Sequence, residues 1–355
     1  MSTSVDSPTT EAQLPGLVSP DVRPEIQPGH WIERGPQKRL MLFAGRSHRD
    51  LATDIAKRLG LDLGEITLKT FANGETYCRY EESIRGADLF LIQTGCQPVD
   101  QNLMELMIMI QTAKLASAKR ITAVIPWFPY SRQDKKSAPR EPITARLIAD
   151  MLQVAGADRV LTMDLHAGQI QGFFSIPVDH MQALPLFANY FRDKGLHGEG
   201  VVSVSPDPGR AKVAGKFAQM LEADLAIMNK VRPAHDVAAV TEVIGRVKGK
   251  IAIMSDDMIV TGGTLIAGAR ALKEAGATQV YACATHGLFP NDALEMIARS
   301  DFTEVVVADT VPIDPLSKPE TVTVLTVSGL LAETIWNVFS DESVSAIFAG
   351  ENQLF

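Results

Sequence analysis

Short apolar runs recur along most of the chain, each bounded by charged or turn-forming residues. Beyond about Arg39 they read LMLFAG, DLFLIQ, ITAVIPW, RVLTMD, VVSVS, DLAIM, KIAIMS, QVYACAT, EVVVAD and TVTVLTV. Runs that stay apolar on successive positions suit parallel strands covered on both faces. Between them the pattern turns helical. Leu103, Leu106, Met107, Ile110 and Ala113 share one helix face, and Ile266, Ala269 and Leu272 form a shorter stripe that Lys273 interrupts. Strands alternating with helices predict an α/β fold with mainly parallel sheets flanked by helices. Ten or so strands divide better into two sheets of about five than into one large sheet. The segment IPVDHMQALP supplies a seam near Pro177–Pro185. We therefore expect an N-terminal domain over 38–181 and a C-terminal domain over 182–355, each with a similar series of βα units.

The first 37 residues break the pattern. They are rich in Ser, Thr, Pro and acids and carry no apolar period, which predicts a flexible arm. The arm lacks the basic start and apolar stretch of a secretory signal. Of 355 residues, 46% are hydrophobic and 21% charged, the balance of a globular protein. Lys and Arg number 34 against 42 Asp and Glu, a net charge of −8, so nucleic acid is not an expected partner, although a local cationic pocket is compatible with it. Charges interrupt every apolar stretch well short of the ~18 residues that span a bilayer, so no membrane partner is expected. The three cysteines, Cys78, Cys96 and Cys283, form neither a CxxC site nor a disulfide framework and fit a reducing, cytoplasmic location.

Ligands of open parallel sheets bind outside the carboxyl ends of strands, and the chemistry-bearing residues follow the predicted strands. In KIAIMSDDMIVTGGTLIAGARAL a strand runs into Asp256 and Asp257, and Thr261, Gly262, Gly263 and Thr264 open a helix. Free amides and hydroxyls at a helix start suit a phosphate, and the carboxylates just upstream suit sugar hydroxyls or a metal. Without a ligand the same residues make a tight βα turn. VVSVSPDPGRAKVAGKFA repeats the grammar, with Asp207 in the turn and Arg210 and Lys212 on the helix. LTMDLHAGQIQGFF places Asp164 and His166 on alternate positions that share one side of an extended chain. Oxygen ligands with one imidazole, His166 with Asp207, suit Mg²⁺ held jointly by a phosphate. PWFPYSRQDKK puts Arg132, Gln133, Asp134, Lys135 and Lys136 after a buried strand. Asn73-Gly74 reads as a hairpin turn, and Lys230 and Arg232 leave a strand beside Pro233, in an expected loop over 230–236.

FANGE, ESIRG, RQDKK, MDLHAGQIQGFF, VSPDPG, KVRP and DDMIVTGGT stand in this order between about Arg39 and Gly350. In order and spacing the chain resembles the ribose-phosphate pyrophosphokinases, which make phosphoribosyl pyrophosphate (PRPP). The resemblance implies two phosphoribosyltransferase-like α/β domains, with ATP on the N-terminal one and ribose 5-phosphate on the C-terminal one. It implies that Phe71, Asn73 and Glu75 hold adenine, partly from a neighbouring subunit, and that Arg132 and Gln133, with Lys135, contact ATP. His166 and Asp207 would bind Mg²⁺, Asp256 and Asp257 the ribose hydroxyls, and Thr261, Gly262, Gly263 and Thr264 the 5-phosphate. Lys230 and Arg232 match the family's catalytic loop. Ser83 and Arg85 fall in a segment resembling the site where many members respond to phosphate and ADP. Dimers built into hexamers are implied, with the last residues packing back on the N-terminal domain.

Three positions depart from the family's pattern. Val231 stands where a second basic residue is usual, Val260 where an acid is usual, and Arg210 where a glycine is usual. Loss of a carboxylate bond to a sugar hydroxyl costs about 1.5–3 kcal/mol, so the expected effect is on ribose 5-phosphate affinity. Arg210 adds a cation near the anions. Two alternatives stand beside the synthase reading. A phosphoribosyltransferase shares DDMIVTGGT but leaves FANGE and RQDKK unexplained. A non-catalytic regulatory relative is supported by Val231 and Val260 and opposed by the retained Lys230, Arg232, His166 and Asp207.

Overall fold

A computed structural model describes residues 38–231 and 240–344. The predicted arm, Arg232 with most of the 230–236 loop, and the last residues expected to pack back lie outside the described residues. In chain order the first half runs β1 (Leu40–Ala44), α1 (Arg49–Arg58), β2 (Ile66–Thr70), β3 (Thr76–Tyr80), β4 (Asp88–Ile92), α2 (Val99–Leu115), β5 (Arg120–Ile125), α3 (Thr144–Ala155), β6 (Arg159–Met163) and β7 (Val178–Met181). The second half runs α4 (Leu184–Asp193), β8 (Val201–Ser205), α5 (Ala211–Met220), β9 (Asp224–Val231), β10 (Val240–Ile244), β11 (Ile251–Ile259), α6 (Gly263–Glu274), β12 (Gln279–Gly287), α7 (Ala293–Ala298), β13 (Glu304–Ala308), β14 (Val322–Leu325) and α8 (Ser328–Ser340).

The first sheet has five strands in the order β1-β4-β5-β6-β7, all parallel, with Leu42 opposite Phe90 and Val124 opposite Leu161. The second has seven, β10-β9-β8-β11-β12-β13-β14, parallel except for the β9–β10 edge. All ten apolar runs became strands. Two sheets were expected, but the second is larger than five because α/β alternation does not mark its antiparallel edge strand. Strand β9 also runs further than the DLAIM motif suggests. The backbone of Lys230 pairs with Thr241 inside the ladder rather than lying in a loop. A third, two-stranded ribbon pairs β2 with β3 across the Asn73-Gly74 turn, where Gly74 takes a φ of +91°.

Both faces of each sheet are covered, which is why the strands read as unbroken apolar runs. Alternate residues point to opposite faces. Leu42, Phe90 and Met163 enter one core; Phe43, Leu91 and Val160 enter another beneath α2 and α3. The first of these cores is shared. Ile253 and Val306 of the second sheet join it, and so do Leu51 and Ile55 of α1, Phe187 and Phe191 of α4, Phe217 of α5, and Leu331 and Ile335 of α8. Helix α8 thus returns against α1, where Arg58 Nε donates to Ser328 Oγ at 2.7 Å. The predicted α2 stripe is buried as read. Of the α6 stripe, Ala269 and Leu272 are buried as expected, but Leu265 and Gly268 complete the buried face and Ile266 only borders the core. Gly268 lets the helix approach the sheet: a Cβ there would lie 2.8 Å from Met254 Cε.

Candidate active site

The carboxyl end of β6 is held in an unusual backbone conformation. Asp164 has a φ of +33°, left-handed for a residue with a side chain. Its carboxylate secures the bend, accepting from Ala183 N at 2.8 Å and from Thr285 Oγ1 at 2.6 Å. Buried His286 approaches the Asp164 carbonyl at 3.2 Å through Nε2. Thr285 and His286 belong to β12, so this buried polar set ties the end of the first sheet to the second. Leu165 N donates to His180 Nε2 at 2.8 Å, and the chain then presents His166.

Asp256 and Asp257 lie inside β11, which continues past them to Ile259. Asp257 is buried, and its Oδ2 lies 2.6 Å from His166 Nδ1. Asp256 Oδ1 accepts from Asp257 N at 2.8 Å. Arg210 approaches from the short 3-10 turn Pro208–Arg210 that leads into α5. Its Nε stands 3.5 Å from Asp256 Oδ1, and its Nη1 3.6 Å from Asp257 Oδ1. Asp207 caps the same turn, accepting from Arg210 N at 3.1 Å.

These contacts separate the titrations of the pair. Burial, and then the hydrogen bond and charge of Asp257, push the Asp256 carboxyl up to about 7, with Arg210 working against them. Burial also acts to raise Asp257, but the hydrogen bond from His166 and the charge of Arg210 outweigh it and hold Asp257 below the ordinary carboxylate range. His166 is raised, chiefly by its bond to Asp257, against the opposing effects of burial and of Arg210 and Arg132.

A cavity of about 520 Å³ opens over this cluster, a volume usual for small-ligand sites. Its wall includes Arg132 and Lys135 from the loop after β5, together with His166, Arg210, Asp256 and Asp257. The other sequence-predicted residues take up different positions. Gln133 lies beside Arg132 with its side-chain oxygen bonded to the Thr144 hydroxyl. Asp207 neighbours the wall residues Gly209 and Arg210. Thr261 and Gly262 follow β11; Gly262 takes a φ of +75° and caps α6, while Thr261, Gly263 and Thr264 are exposed at the helix start. Phe71, Asn73 and Glu75 form the tip of the β2–β3 ribbon and are exposed; Phe71 packs edge-on against Tyr77, with ring centres 5.7 Å apart. Ser83 and Arg85 lie apart from the cavity wall, where the Arg39 guanidinium binds both of their carbonyls.

Sequence reasoning missed Thr285, which buttresses Asp164, and the support given to Gln169 by Asp134 (Nε2 to Oδ2, 2.8 Å). The signal for Thr285 was its place at the end of an apolar run. It also treated Arg210 as a cation near the anions without seeing that it meets the carboxylate pair.

Fold and site together define an α/β enzyme of the phosphoribosyltransferase-like class, with carboxylates and cations facing one crevice at the strand ends. Residues 40–156 match the N-terminal domain of ribose phosphate pyrophosphokinase, and residues 230–349 match the phosphoribosyl synthetase-associated domain. A ribose-phosphate pyrophosphokinase of Nostoc sp. is 51% identical over 87% of this chain and 94% of its own length. That of Caldanaerobacter subterraneus is 50% identical over 87% and 98%. The crystal structure of phosphoribosylpyrophosphate synthetase from Mycobacterium smegmatis superposes with a TM-score of 0.80 at 46% identity, covering 86% of this chain and all of that one. The chain belongs to the ribose-phosphate pyrophosphokinase family, the transferases of nucleotide biosynthesis that make PRPP from ATP and ribose 5-phosphate. Matches along nearly the full length of such relatives set aside the phosphoribosyltransferase alternative.

Proposed function

We propose that the crevice over Asp256 and Asp257 is where this chain carries out its family's reaction, the transfer of the β,γ-pyrophosphoryl group of ATP to the C1 hydroxyl of ribose 5-phosphate, with release of AMP. The observation that carries the assignment is the meeting of two kinds of group on one wall: carboxylates suited to sugar hydroxyls, and Arg132 and Lys135 suited to nucleotide phosphates. Residues 38–181 form the ATP side and 182–355 the sugar side. Asp256 and Asp257 orient the sugar so that its anomeric oxygen faces the β-phosphorus, and such positioning supplies much of the acceleration. The Thr261–Thr264 turn takes the 5-phosphate on amides at the start of α6. Charge grows on the bridging and leaving oxygens, where Arg132, Lys135, Lys230 and Arg232 balance it. One cation about 4 Å from a phosphate oxygen is worth about 4 kcal/mol at an effective dielectric of ~20, so several are required.

His166 and Asp207 suit Mg²⁺. Asp257 orients His166 through Nδ1 and leaves Nε2 as the ligand atom, the usual support of a metal-bound imidazole. Mg²⁺ commonly keeps several waters and takes phosphate oxygens beside one or two protein ligands, which suits a site built on His166 and Asp207. When bound, Mg²⁺ supplies charge neutralisation at the transferring phosphates. The exposed ribbon with Phe71, Asn73 and Glu75 stands off the cavity wall, which suits adenine recognition across a subunit contact in a dimer built into a hexamer. Ser83 and Arg85 belong to a phosphate- and ADP-responsive contact in that assembly. Three free cysteines suit a cytoplasmic setting; a 48% identical relative from Arabidopsis thaliana is chloroplastic, so the family does not define the compartment. No helix among the described residues is long and apolar enough to cross a membrane.

The test is incubation of the purified protein with ATP and ribose 5-phosphate, with Mg²⁺ or with excess chelator. AMP should form only when sugar and metal are both present. Absence of AMP would favour the non-catalytic regulatory relative, and sugar-independent AMP would mark an ATP hydrolase.

A further inference from the structure

The Arg210 guanidinium is drawn to the Asp256–Asp257 pair but does not close a hydrogen bond on it. Its side chain is 19% exposed, and Nε stands 3.5 Å from Asp256 Oδ1 and Nη1 3.6 Å from Asp257 Oδ1. Both separations exceed the usual 2.7–3.2 Å of an N–H···O bond. Nε is buried and has no hydrogen-bond partner. A buried charged donor without an acceptor is costly, and this one lies on the cavity wall. The Asp207 cap holds the turn from which the Arg210 side chain leaves. A single ligand hydroxyl could satisfy both sides at once. Seated at hydrogen-bond distance from each, its oxygen would accept from the partly exposed Arg210 guanidinium while its proton went to the Asp256 carboxylate.

We propose that Arg210 is a specificity-determining residue that reads a ring hydroxyl of the sugar, completing with Asp256 a donor-and-acceptor pair for one hydroxyl group. This rests on the reading of Asp256 and Asp257 as the sugar site. Because a guanidinium only donates and the ionised Asp256, the form that Arg210 favours, only accepts, the pair accommodates a hydroxyl and penalises a ligand that lacks one. Arg210 therefore raises affinity for ribose 5-phosphate and sharpens discrimination against its deoxy analogues.

The experiment is calorimetric titration of the full chain with ribose 5-phosphate, 2-deoxyribose 5-phosphate and 3-deoxyribose 5-phosphate. It compares the unaltered protein with Arg210→Met, Arg210→Lys and Asp256→Asn. Arg210→Met keeps the aliphatic stem and should weaken ribose 5-phosphate roughly tenfold or more. It should also narrow the ribose-to-deoxyribose affinity ratio for one of the two analogues, a change that a merely structural role would not produce. Arg210→Lys keeps the charge without the planar fork and should recover part of the loss; if Arg210→Met does not fold, a narrowed ratio in Arg210→Lys carries the same test. Unchanged or tighter ribose 5-phosphate binding in Arg210→Met, or a ratio narrowed for neither analogue, overturns the proposal. If Asp256→Asn still loses affinity in that case, only the role of Arg210 falls. If Asp256→Asn also binds normally, the sugar-site reading falls with it.

Discussion

Replacing Asp257 by Asn would remove the negative charge on which His166 and Arg210 both converge, while keeping nearly the same shape. Two effects then oppose each other in stability. Arg210 loses an attraction that at 3.6 Å and an effective dielectric of ~20 amounts to about 4–5 kcal/mol before desolvation. Repulsion between adjacent buried carboxylates is relieved, as is the cost of burying Asp257 in charged form. The net change in folding stability should therefore be modest, within about 2 kcal/mol. Function has no such compensation. A hydrogen bond to a charged group is worth about 1.5–3 kcal/mol, so kcat/KM for ribose 5-phosphate should fall roughly ten- to 150-fold. The KM for ATP should change little. His166 provides a second readout. Its proton affinity is raised by the charged bond to Asp257 against burial; the Asn oxygen can still accept from Nδ1 but carries no charge, so burial should prevail and the imidazole should titrate below its ordinary range. Steady-state kinetics and NMR titration of the His166 ring would measure the two effects. If His166 titrates as before, Asp257 does not hold the imidazole; if the loss falls equally on ATP and sugar, Asp257 is not a sugar ligand.

Lys230→Ala should lower turnover by orders of magnitude with ATP binding largely intact; equal loss of both would make Lys230 structural. Thr285→Val removes the donor to Asp164 at constant shape and should cost about 1–3 kcal/mol in urea unfolding, because Asp164 keeps only Ala183 N on that oxygen; a change too small to resolve would mean that the inter-sheet tie is not stabilising. Burial depresses His48, His180 and His286. For each, the unfolded chain binds a proton at higher pH than the folded one, so their contribution is intact above the ordinary imidazole value and lost as pH falls below it. Raised His166, Asp256 and Asp309 act in the opposite sense. With three groups against three, the unfolding midpoint should change little between pH 8 and pH 5.5, and a steep drop over that window would contradict the balance.

Strands such as β4, β8 and β13 were legible because they are buried on both faces, which leaves an unbroken apolar run that no surface element shows. Helix α2 was legible because Leu103, Leu106, Met107, Ile110 and Ala113 dominate its buried face, although Asn102 and Glu105 are buried with them. Reading failed where close packing, rather than hydrophobicity, decides. Gly268 lies on the buried face of α6 but adds nothing to an apolar pattern, so the expected stripe takes in Ile266 where Leu265 is the buried residue. Strand β10 forms an edge and has no two-sided burial to betray it. Strand β7 is a four-residue run carrying Asp179 and His180, too polar to stand out.

For the site, chain order was enough to show which residue types follow which strand, because strand ends of parallel sheets are where backbone stops and side chains meet ligand. The sequence by itself therefore determined the α/β layering, the set of strand-end carboxylates and cations, and the family. Tertiary structure alone decided their partnerships. Distances between residues 91 apart, as for His166 and Asp257, depend on how two sheets pack over a shared core, and no local pattern encodes them. The same packing made Asp164, expected only to share one side of a strand with His166, the tie between the sheets, and brought Arg210 onto the Asp256–Asp257 pair.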